Sequence, residues 1–527
     1  MCNTNFGETL DFFSIETNSF CNAYEKNKLA GQFQEVYMPE FIQIHLGDNV
    51  AVALTDIPAG TVFNGVAAVV DIPRGHKMAL KDLAENDAVM KYGFPIGHAT
   101  APIAAGQWVH THNMKTNLSG EIEYSYTPNI KDIPAVPAEE FLGFRRNNGK
   151  FGIRNEIWII PTVGCVNDVA KALVRENQDL VTGTIDGLYT FPHPFGCSQT
   201  GADHAQTRKL LVALTKHPNA AAVLVLSLGC ENLTHEQFLT ELGEYDENRV
   251  HFLTCQQVED EMQAGREHLK QLADFASHFH RENIPSSELV IGMKCGGSDG
   301  LSGITANPTV GRFSDLLVAQ GGSTVLTEVP EMFGAEGFLM NRCIDENVFH
   351  KAVDMINGFK NYFLQHHEVV YENPSPGNKE GGITTLEDKS CGCVQKGGSA
   401  PIMDVIGYGD AVTTKGLNML YGPGNDLVSA TALTAACAHM VLFTTGRGTP
   451  FGAPAPTVKI ATNTALATMK KNWIDFNAGV VADGVATLDE AAADLMKLVL
   501  EVASGKKTRT EERGYREISI FKDGVVL

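Results

Sequence analysis

The stretch Met293-Lys-Cys-Gly-Gly-Ser-Asp-Gly-Leu-Ser-Gly-Ile-Thr-Ala-Asn-Pro308 joins a predicted buried strand to a predicted helix. The apolar run from Ser287 to Met293 is typical of a strand inside a parallel sheet, and the helix is expected from about Val310 to Gln320. Between them stand a thiol, a glycine pair, a carboxylate and several hydroxyls. Open α/β sheets build their sites where strands pass into helices, so this stretch predicts an α/β fold with a site at the sheet edge.

Four further cysteines follow predicted strands in the same way. They are Cys165, Cys197, Cys230 and Cys255, so that with Cys295 five of the eleven cysteines occupy this position. One parallel sheet would gather all five thiols at a single edge, which is the arrangement we expect. The alternative is that each cysteine is a small buried apolar residue.

Composition excludes several classes of function. A chain of 527 residues is too long for one core and predicts two to four domains. Its net charge of −21 argues against nucleic acid and anionic membranes as partners, and leaves a small acidic substrate open. No apolar run approaches the roughly 18 to 20 residues that span a bilayer. The N-terminus has no secretory-signal pattern, and the eleven dispersed cysteines favour a reducing cytoplasm.

Turn signals and composition divide the chain. Residues 1–38 are a polar extension, residues 39–116 carry the short alternating strands of a small all-β domain, and residues 117–140 have the proline and acidic bias of a linker. From residue 141 strand and helix patterns alternate, which predicts a mainly parallel sheet covered by helices. The segment 371–385 is either a second linker or an ordered site loop.

No glycine-rich segment matches a phosphate-binding template, so neither ATP nor NAD is expected. The segment GRGTPFG, which contains Arg447, follows a predicted strand and either binds an anion or forms a turn.

The all-β domain carries a histidine cluster. His110 and His112 lie two residues apart and therefore point to one face of a strand. With His76 and Lys77 they predict a cationic pocket for a carboxylate, although single histidines of this kind are often surface groups.

The remaining candidate chemistry is a crevice that combines thiols with carboxylates. Thiolate together with carboxylate and imidazole suits Fe²⁺ or Zn²⁺, although the paired CxxC spacing of structural zinc sites is absent. The crevice residues are Cys197, Cys230, Glu231, Cys295, Asp299, Glu328, Glu331 and Glu336.

Long motifs in order from Tyr37 to Leu527 carry a family resemblance. They include IHLGDNVAVAL, VHTHN, RRNNGKFGIRNEIWIIPTVGCVN, HPFGCSQ, LGCEN, KCGGSDGLSGITANP, LTEVPEMFGAE, ENPSPGNKEGGITTLEDKS, TTGRGTP and WIDFNAG. The chain resembles the altronate/galactarate dehydratase family, and the VHTHN, GCVN and MFGAE forms are most similar to its altronate branch. The polar extension is a departure from the family pattern.

This resemblance implies a hydro-lyase that converts D-altronate to 2-dehydro-3-deoxy-D-gluconate with Fe²⁺, or Mn²⁺, as cofactor. It also implies a β-clip SAF domain over 39–116, a linker, a second α/β domain over 141–247 with homodimer contacts, and a Rossmann-like catalytic domain over 248–527. The boundary near residue 248 is placed on the resemblance alone.

We assign roles on this basis as hypotheses. The metal ligands are Cys197, Cys230 and Cys295, with Glu231 or Glu328 nearby; three cysteines could instead hold an iron–sulfur cluster with one open iron. The catalytic acid–base groups are His193, Glu328 and Asp299. The groups that bind or close over the substrate are His76, Lys77, His110, His112, Lys294 and Arg447.

Three other functions compete with this one. Galactarate or another sugar acid could be the substrate. A sulfo-lyase acting on sulfolactate uses a related scaffold, but with the SAF part on a separate chain. A non-catalytic carbohydrate-binding protein is the third alternative, and it predicts neither bound metal nor a 2-keto-acid product.

Overall fold

The structure is a computed structural model that describes residues 40–118, 123–371 and 373–527. The 1–38 extension and residues 119–122 of the proposed linker lie outside the described residues.

Residues 40–118 form a small domain of short antiparallel strands. A four-stranded sheet has the order β1-β2-β5-β8, a three-stranded sheet has the order β6-β7-β9, and β3 pairs with β4. This confirms the all-β N-terminal domain. The strands are β1 (Phe41–Ile42), β2 (Val50–Ala53), β3 (Val62–Phe63), β4 (Val66–Ala67), β5 (Lys77–Ala79), β6 (Ala88–Lys91), β7 (Phe94–Ala99), β8 (Trp108–Val109) and β9 (Met114–Lys115).

The second part of the chain contains a parallel sheet of order β13-β12-β14-β15 and a small antiparallel sheet of order β11-β10-β16. The strands are β10 (Glu140–Arg145), β11 (Phe151–Gly152), β12 (Glu156–Pro161), β13 (Gly187–Thr190), β14 (Ala220–Ser227), β15 (Val250–Thr254) and β16 (Arg281–Pro285). The helices are α1 (Asn167–Glu176), α2 (Gly201–Thr215), α3 (His235–Leu242) and α4 (Glu261–Ser277).

The third part is built on a seven-stranded parallel sheet of order β19-β20-β18-β17-β21-β22-β23. The strands are β17 (Val290–Cys295), β18 (Ser323–Leu326), β19 (Ile402–Ile406), β20 (Gly416–Leu420), β21 (Met440–Thr445), β22 (Thr457–Ala461) and β23 (Phe476–Asn477). The helices are α5 (Ala306–Ala319), α6 (Glu336–Met340), α7 (Glu346–Gln365), α8 (Pro376–Glu380), α9 (Leu386–Cys393), α10 (Asp426–Ala435), α11 (Thr464–Met469), α12 (Leu488–Ala503) and α13 (Arg509–Glu512). Two parallel sheets thus confirm the α/β region.

The sheets correct the boundary that we placed near residue 248. Strand β15 begins at Val250 and pairs in parallel with β14, so the four-stranded sheet continues past that position. Helix α4 also packs on β14 and ends at Ser277. A division between residues 277 and 285 therefore fits the sheets, and resemblance alone misplaced it.

The two parallel sheets share a layer of helices. Leu210 and Leu214 of α2 lie in the same buried cluster as Ala430 and Leu433 of α10. Burying a leucine side chain contributes roughly 1.5–3 kcal/mol. This apolar layer makes the second and third parts one packed body.

The N-terminal domain docks on the third part through buried charges. Asp388 of α9 accepts hydrogen bonds from Lys77 Nζ at 2.8 Å and from Lys91 Nζ at 2.9 Å, and all three side chains are inaccessible to water. Burial works against ionisation of Asp388, but the two ammonium groups outweigh it and lower the pKa of Asp388.

Glycines bring the two backbones together at this contact. A Cβ on Gly300 would lie 2.0 Å from the carbonyl oxygen of Gly75, and one on Gly382 would lie 2.2 Å from the same oxygen. Any side chain at these positions would force the domains apart.

Asp388→Asn is expected to lower the free energy of unfolding by about 3–5 kcal/mol, because it leaves two buried ammonium groups without a counter-charge. Urea unfolding followed by circular dichroism measures the change. The exposed Asp168, which pairs with Lys171, is the matched control, and Asp168→Asn should leave the unfolding midpoint unchanged. Equal midpoints for both variants would contradict the structural role of Asp388.

Candidate functional site

The carboxyl edge of the seven-stranded sheet carries a buried group of thiols and carboxylates. Cys295 is the last residue of β17, Glu328 follows β18 by two residues, and Asp426 opens α10 after β20. Parallel strands deliver their carboxyl ends to one edge, so these side chains meet although they are far apart in sequence.

Cys295, Glu331 and Cys393 form the centre of this site, the thiol–carboxylate cluster. The Sγ atoms of Cys295 and Cys393 are 3.3 Å apart, and each lies 3.1 Å from Glu331 Oε2. Glu331 belongs to a single 3-10 turn after β18, and Cys393 is the last residue of α9. All three residues are buried.

Three lysines surround the cluster. Lys389 Nζ lies 2.8 Å from Glu331 Oε1, and Lys396 Nζ lies 2.9 Å from Cys295 Sγ and 3.2 Å from Glu328 Oε2. Lys294 Nζ donates to Asp426 Oδ1 at 2.5 Å. It also lies 3.1 Å from Glu328 Oε1, without the geometry of a hydrogen bond.

Glu328 is held in an unusual backbone conformation. Its φ of 70° places it in the left-handed region, which is costly for a residue with a side chain and typical of functional sites. Its Oε2 accepts the backbone N–H of Cys295 at 2.8 Å, while its Oε1 has no hydrogen-bond donor among the described residues.

The two glutamates of the site titrate in opposite directions. Burial raises the pKa of Glu328, and the nearby ammonium groups offset this only in part. For Glu331, burial is outweighed by the charge of Lys389 and then Lys396, which hold its pKa at about 2. Two carboxyl groups whose pKa values are shifted in opposite directions provide one fixed anion and one group able to exchange a proton.

The cluster has the donor chemistry of a metal site. Two thiols and a carboxylate offer Sγ, Sγ and Oε within 4.8 Å of one another, a soft set that suits iron or zinc better than magnesium. Around it, the carboxylates of Glu328, Glu331 and Asp426 balance the three lysines. Loss of both thiol protons adds two negative charges, which one divalent cation would neutralise, so the residues fit such an ion.

A cavity of about 10 Å³ lies between this site and the N-terminal domain. Its walls include Lys91 from the N-terminal domain and Asp299, Asp388, Lys389 and Cys393 from the third part. This volume holds about one water molecule, so the site is closed in this conformation.

Asp299 organises one wall of that cavity. Its Oδ1 accepts from the Leu301 N–H and the Ser302 hydroxyl, and its Oδ2 accepts from Thr462 Oγ1 at 2.9 Å and Asn463 Nδ2 at 3.2 Å. Burial raises the pKa of Asp299. All these donors make Asp299 a positioning group for the loop after β17.

The predicted substrate-binding residues of the N-terminal domain face the loop 380–388. His76 Nε2 donates to the Glu380 carbonyl at 3.1 Å, and its Nδ1 accepts from Trp108 Nε1 at 3.2 Å. The His110 ring packs on His76 at 4.9 Å, and burial lowers the pKa of His110 to about 4. His112 packs against Trp108, so these aromatic rings form one group.

Arg447 lies at the outer side of the same loop. Its Nη1 donates to the Gly377 carbonyl at 3.0 Å and to Glu380 Oε2 at 2.8 Å, with nearly half of the side chain exposed. The sequence left two interpretations open for the segment 371–385. Its described residues 373–385 contact Arg447, His76 and Lys389, which favours an ordered site loop.

The structure separates the other predicted residues from the cluster. Cys197, Cys230 and Glu231 follow strands of the four-stranded sheet, as do Cys165 and Cys255, whereas Cys295 ends a strand of the seven-stranded sheet. The five thiols therefore do not share one edge as we expected, because strand-end position does not indicate which sheet a strand joins.

Glu231 and His193 are occupied by local contacts. Glu231 accepts from Thr162 Oγ1 at 2.7 Å and from the N–H groups of Leu228 and Gly229. His193 Nε2 donates to the Pro161 carbonyl, its Nδ1 accepts from the Phe195 N–H, and burial lowers its pKa to about 4. Both ring nitrogens of His193 are thus engaged by backbone.

Sequence reasoning missed Cys393, Lys389, Lys396 and Asp426. The run EDKSCGCVQK contains the first three, and the spacing of Lys389, Cys393 and Lys396 at three and four residues would have indicated one face of a helix. Glu336, which we included in the crevice, instead pairs with Lys360 at 2.7 Å.

Comparisons with known proteins agree with this architecture. Family models match in order: "Altronate/galactarate dehydratase SAF domain" over residues 39–117, "D-galactarate dehydratase/Altronate hydrolase, second domain" over 143–277, and "D-galactarate/Altronate dehydratase, C-terminal" over 286–526. The altronate dehydratase of Bacillus subtilis is 53% identical over 93% of this chain and 100% of that protein. The chain belongs to the altronate/galactarate dehydratase family.

Two further relatives differ in the substrate that their names give. The altronate dehydratase of Escherichia coli is also 53% identical, over 93% of this chain and 100% of that protein. The galactarate dehydratase (L-threo-forming) of Escherichia coli is 33% identical over 94% of this chain and 98% of that protein. Within the altronate/galactarate dehydratase family, this chain is thus more similar to these altronate enzymes than to that galactarate enzyme. None of the helices in the described residues is long and apolar enough to cross a membrane.

Cys295→Ser and Cys393→Ser are each expected to lower bound iron below about a tenth of the wild-type content, because each removes one soft ligand of the cluster. Plasma mass spectrometry of protein loaded with Fe²⁺ and purified without air measures the metal. Cys343→Ser is the matched control, since Cys343 is also buried but lies outside the cluster.

The same measurement on Cys197→Ser and Cys230→Ser tests the ligand set that the sequence suggested. Loss of iron from these two variants, with iron retained in Cys295→Ser, would place the metal at the four-stranded sheet and overturn the assignment to the thiol–carboxylate cluster.

Proposed function

We propose that this protein removes water from D-altronate to give 2-dehydro-3-deoxy-D-gluconate. The observation that carries the proposal is the buried thiol–carboxylate cluster, surrounded by lysines, in a chain 53% identical to altronate dehydratases along nearly its whole length. We also infer that it works in the cytoplasm, where Cys295 and Cys393 stay reduced, and as a homodimer.

The difficulty of the reaction is electrostatic. The proton on C2 lies beside a carboxylate, so its removal creates an enediolate with additional negative charge. Iron, held by Cys295, Glu331 and Cys393, would supply positive charge against that developing anion. Lys294 and Lys396 add fixed ammonium groups at the same place, and Arg447 gives the substrate carboxylate a first contact at the rim.

Glu328 is the group we assign to accept the C2 proton. Its Oε1 has no hydrogen-bond donor in the described residues and its backbone is strained, while Oε2 is fixed by Cys295 N–H. Lys389, which lines the cavity, gives a proton to the C3 hydroxyl as the C–O bond breaks, so that water leaves. The resulting enol takes a proton at C3 from Glu328 and returns its hydroxyl proton to Lys389, which gives the 2-keto acid and restores both side chains. Asp299 holds the cavity wall.

Substrate entry requires the N-terminal domain to move, because a cavity of about 10 Å³ cannot hold a six-carbon acid. The polar part of the contact places Lys77, Lys91 and His76 against residues 380–388. Its apolar part is a small cluster in which Ile42, Val52 and Leu54 pack on Leu301 and Ile304. Opening exposes Asp388 and its lysines together, so water replaces their mutual attraction at modest cost. The domain is thus suited to act as a cap that expels water on closure.

Glu328→Gln is expected to lower kcat by about 10²–10⁴-fold, because the amide cannot accept a proton. Formation of 2-keto acid from altronate, with Fe²⁺ and reductant present, measures the rate. Glu346→Gln is the control, since the Glu346 side chain is 76% exposed and lies outside the cluster, and it should keep near-wild-type turnover. Retained activity in Glu328→Gln at unchanged iron content would refute this role.

A substrate panel distinguishes the alternatives. With Fe²⁺ under reducing conditions, altronate should give the highest kcat/KM for keto-acid formation, with galactarate at least tenfold lower and sulfolactate without product. Faster turnover of galactarate would change the substrate assignment. No product from any acid by iron-loaded protein would favour the non-catalytic binding alternative.

A further inference from the structure

A second pocket, which the proposed reaction does not use, lies in the second part of the chain. It has a volume of about 450 Å³, within the usual range for small-ligand sites. Its walls come from segments that precede β12, β14 and β15 and from the end of α4, so it opens at the amino edge of the four-stranded sheet. The lining residues that decide its chemistry are Arg146, Lys150, Lys216, Arg249, Phe275 and Phe279.

Two guanidinium groups of this pocket bond only to neutral oxygens. Arg146 is 5% exposed, and its three hydrogen bonds go to the carbonyls of Pro218 and Arg154 and to Asn155 Oδ1. Arg249 donates to the carbonyls of Thr215, His217 and Ala220, at the end of α2. These bonds fix the positions of the guanidinium groups but do not neutralise their charges.

Two other buried arginines of the same chain are paired with carboxylates. Arg154 pairs with Glu511 at 2.7 Å, and Arg516 pairs with Glu156 at 2.8 Å, and in both cases the carboxylates raise the pKa. Burial instead lowers the pKa of Arg146 to about 9 and that of Arg249 to about 10. The pocket thus holds cationic charge that is not matched by carboxylates in contact.

The remaining walls add further positive charge and an apolar surface. Lys150 and Lys216 are exposed at the rim, so the lining contains four cationic side chains against the carboxylates of Glu244 and Asp246. Asp246 already accepts from the N–H and the side-chain amide of Asn248. Phe275 and Phe279 form an edge-on aromatic pair at 5.3 Å. A cationic pocket is notable in a chain with a net charge of −21.

We propose that this pocket binds a small organic anion, a metabolite with a phosphate or carboxylate group and a carbon skeleton that packs on Phe275 and Phe279. Guanidinium groups offer paired N–H donors whose geometry matches both kinds of anion. The two rim lysines attract the ligand and the aromatic pair holds its apolar part. The pocket is separate from the thiol–carboxylate cluster, which lies at the carboxyl edge of the other sheet.

Isothermal titration calorimetry on the full-length protein tests the proposal. The probes are glucose 6-phosphate, adenosine monophosphate, gluconate and inorganic phosphate at constant ionic strength, with uncharged glucose as the reference. At least one organic anion should bind below millimolar Kd, more tightly than inorganic phosphate, and glucose should not bind. Comparing the Kd values of the two phosphate esters with that of gluconate shows which class of anion the pocket prefers.

The variant Lys150→Ala with Lys216→Ala removes two exposed rim charges and is expected to weaken the tightest probe by roughly tenfold. Lys171→Ala is the matched control, because Lys171 is exposed in the same part of the chain but outside the pocket. Arg146→Met should abolish binding if it folds, as circular dichroism would show. Absence of submillimolar binding by every organic anion, or equal affinity in wild type and the rim double variant, would overturn the proposal.

Discussion

Charge balance in a dry interior is the constraint on which this structure depends. Three lysines and three carboxylates meet at the carboxyl edge of the large sheet. All but Asp426, whose side chain is 32% exposed, are buried, and none of the buried ions could stand alone without a large free-energy penalty. Because the ions already compensate one another, the two thiols at their centre remain the groups whose charge can change. A divalent cation can therefore replace the two thiol protons without changing the net charge of the site.

Charge balance among buried side chains also governs the closure of the site. Asp388 pairs with one lysine from each of the two small sheets of the N-terminal domain, and the glycine backbones at 75, 300 and 382 allow the approach. The residue next to it, Lys389, points to Glu331 of the cluster. One turn of α9 thus connects domain docking with the charge of the reaction centre, and docking brings the fixed charges into a space without bulk water.

Much of the fold was predictable, because apolar strands and amphipathic helices leave strong periodic signals. The helix expected to start near Val310 begins at Ala306. Cys295 and Glu328 were identifiable because each follows a buried strand. Cys393 was not, because it ends a helix and its partners come from elsewhere in the chain. Nor can periodicity indicate that Cys197 and Cys295 belong to different sheets, since that is decided by long-range strand pairing.

The apolar layer between α2 and α10 determines which parts of the molecule can separate from one another. Separating the second and third parts would expose that apolar layer to solvent. The N-terminal domain is attached through the ion pairs of Asp388 and through a smaller apolar cluster, in which Ile42, Val52 and Leu54 pack on Leu301 and Ile304. A break in the chain between residues 123 and 139 would therefore leave two pieces that can still assemble by diffusion. The reaction centre itself lies in the larger piece, and the smaller piece acts as a detachable cover. In the unbroken chain the linker sets the effective concentration of that cover.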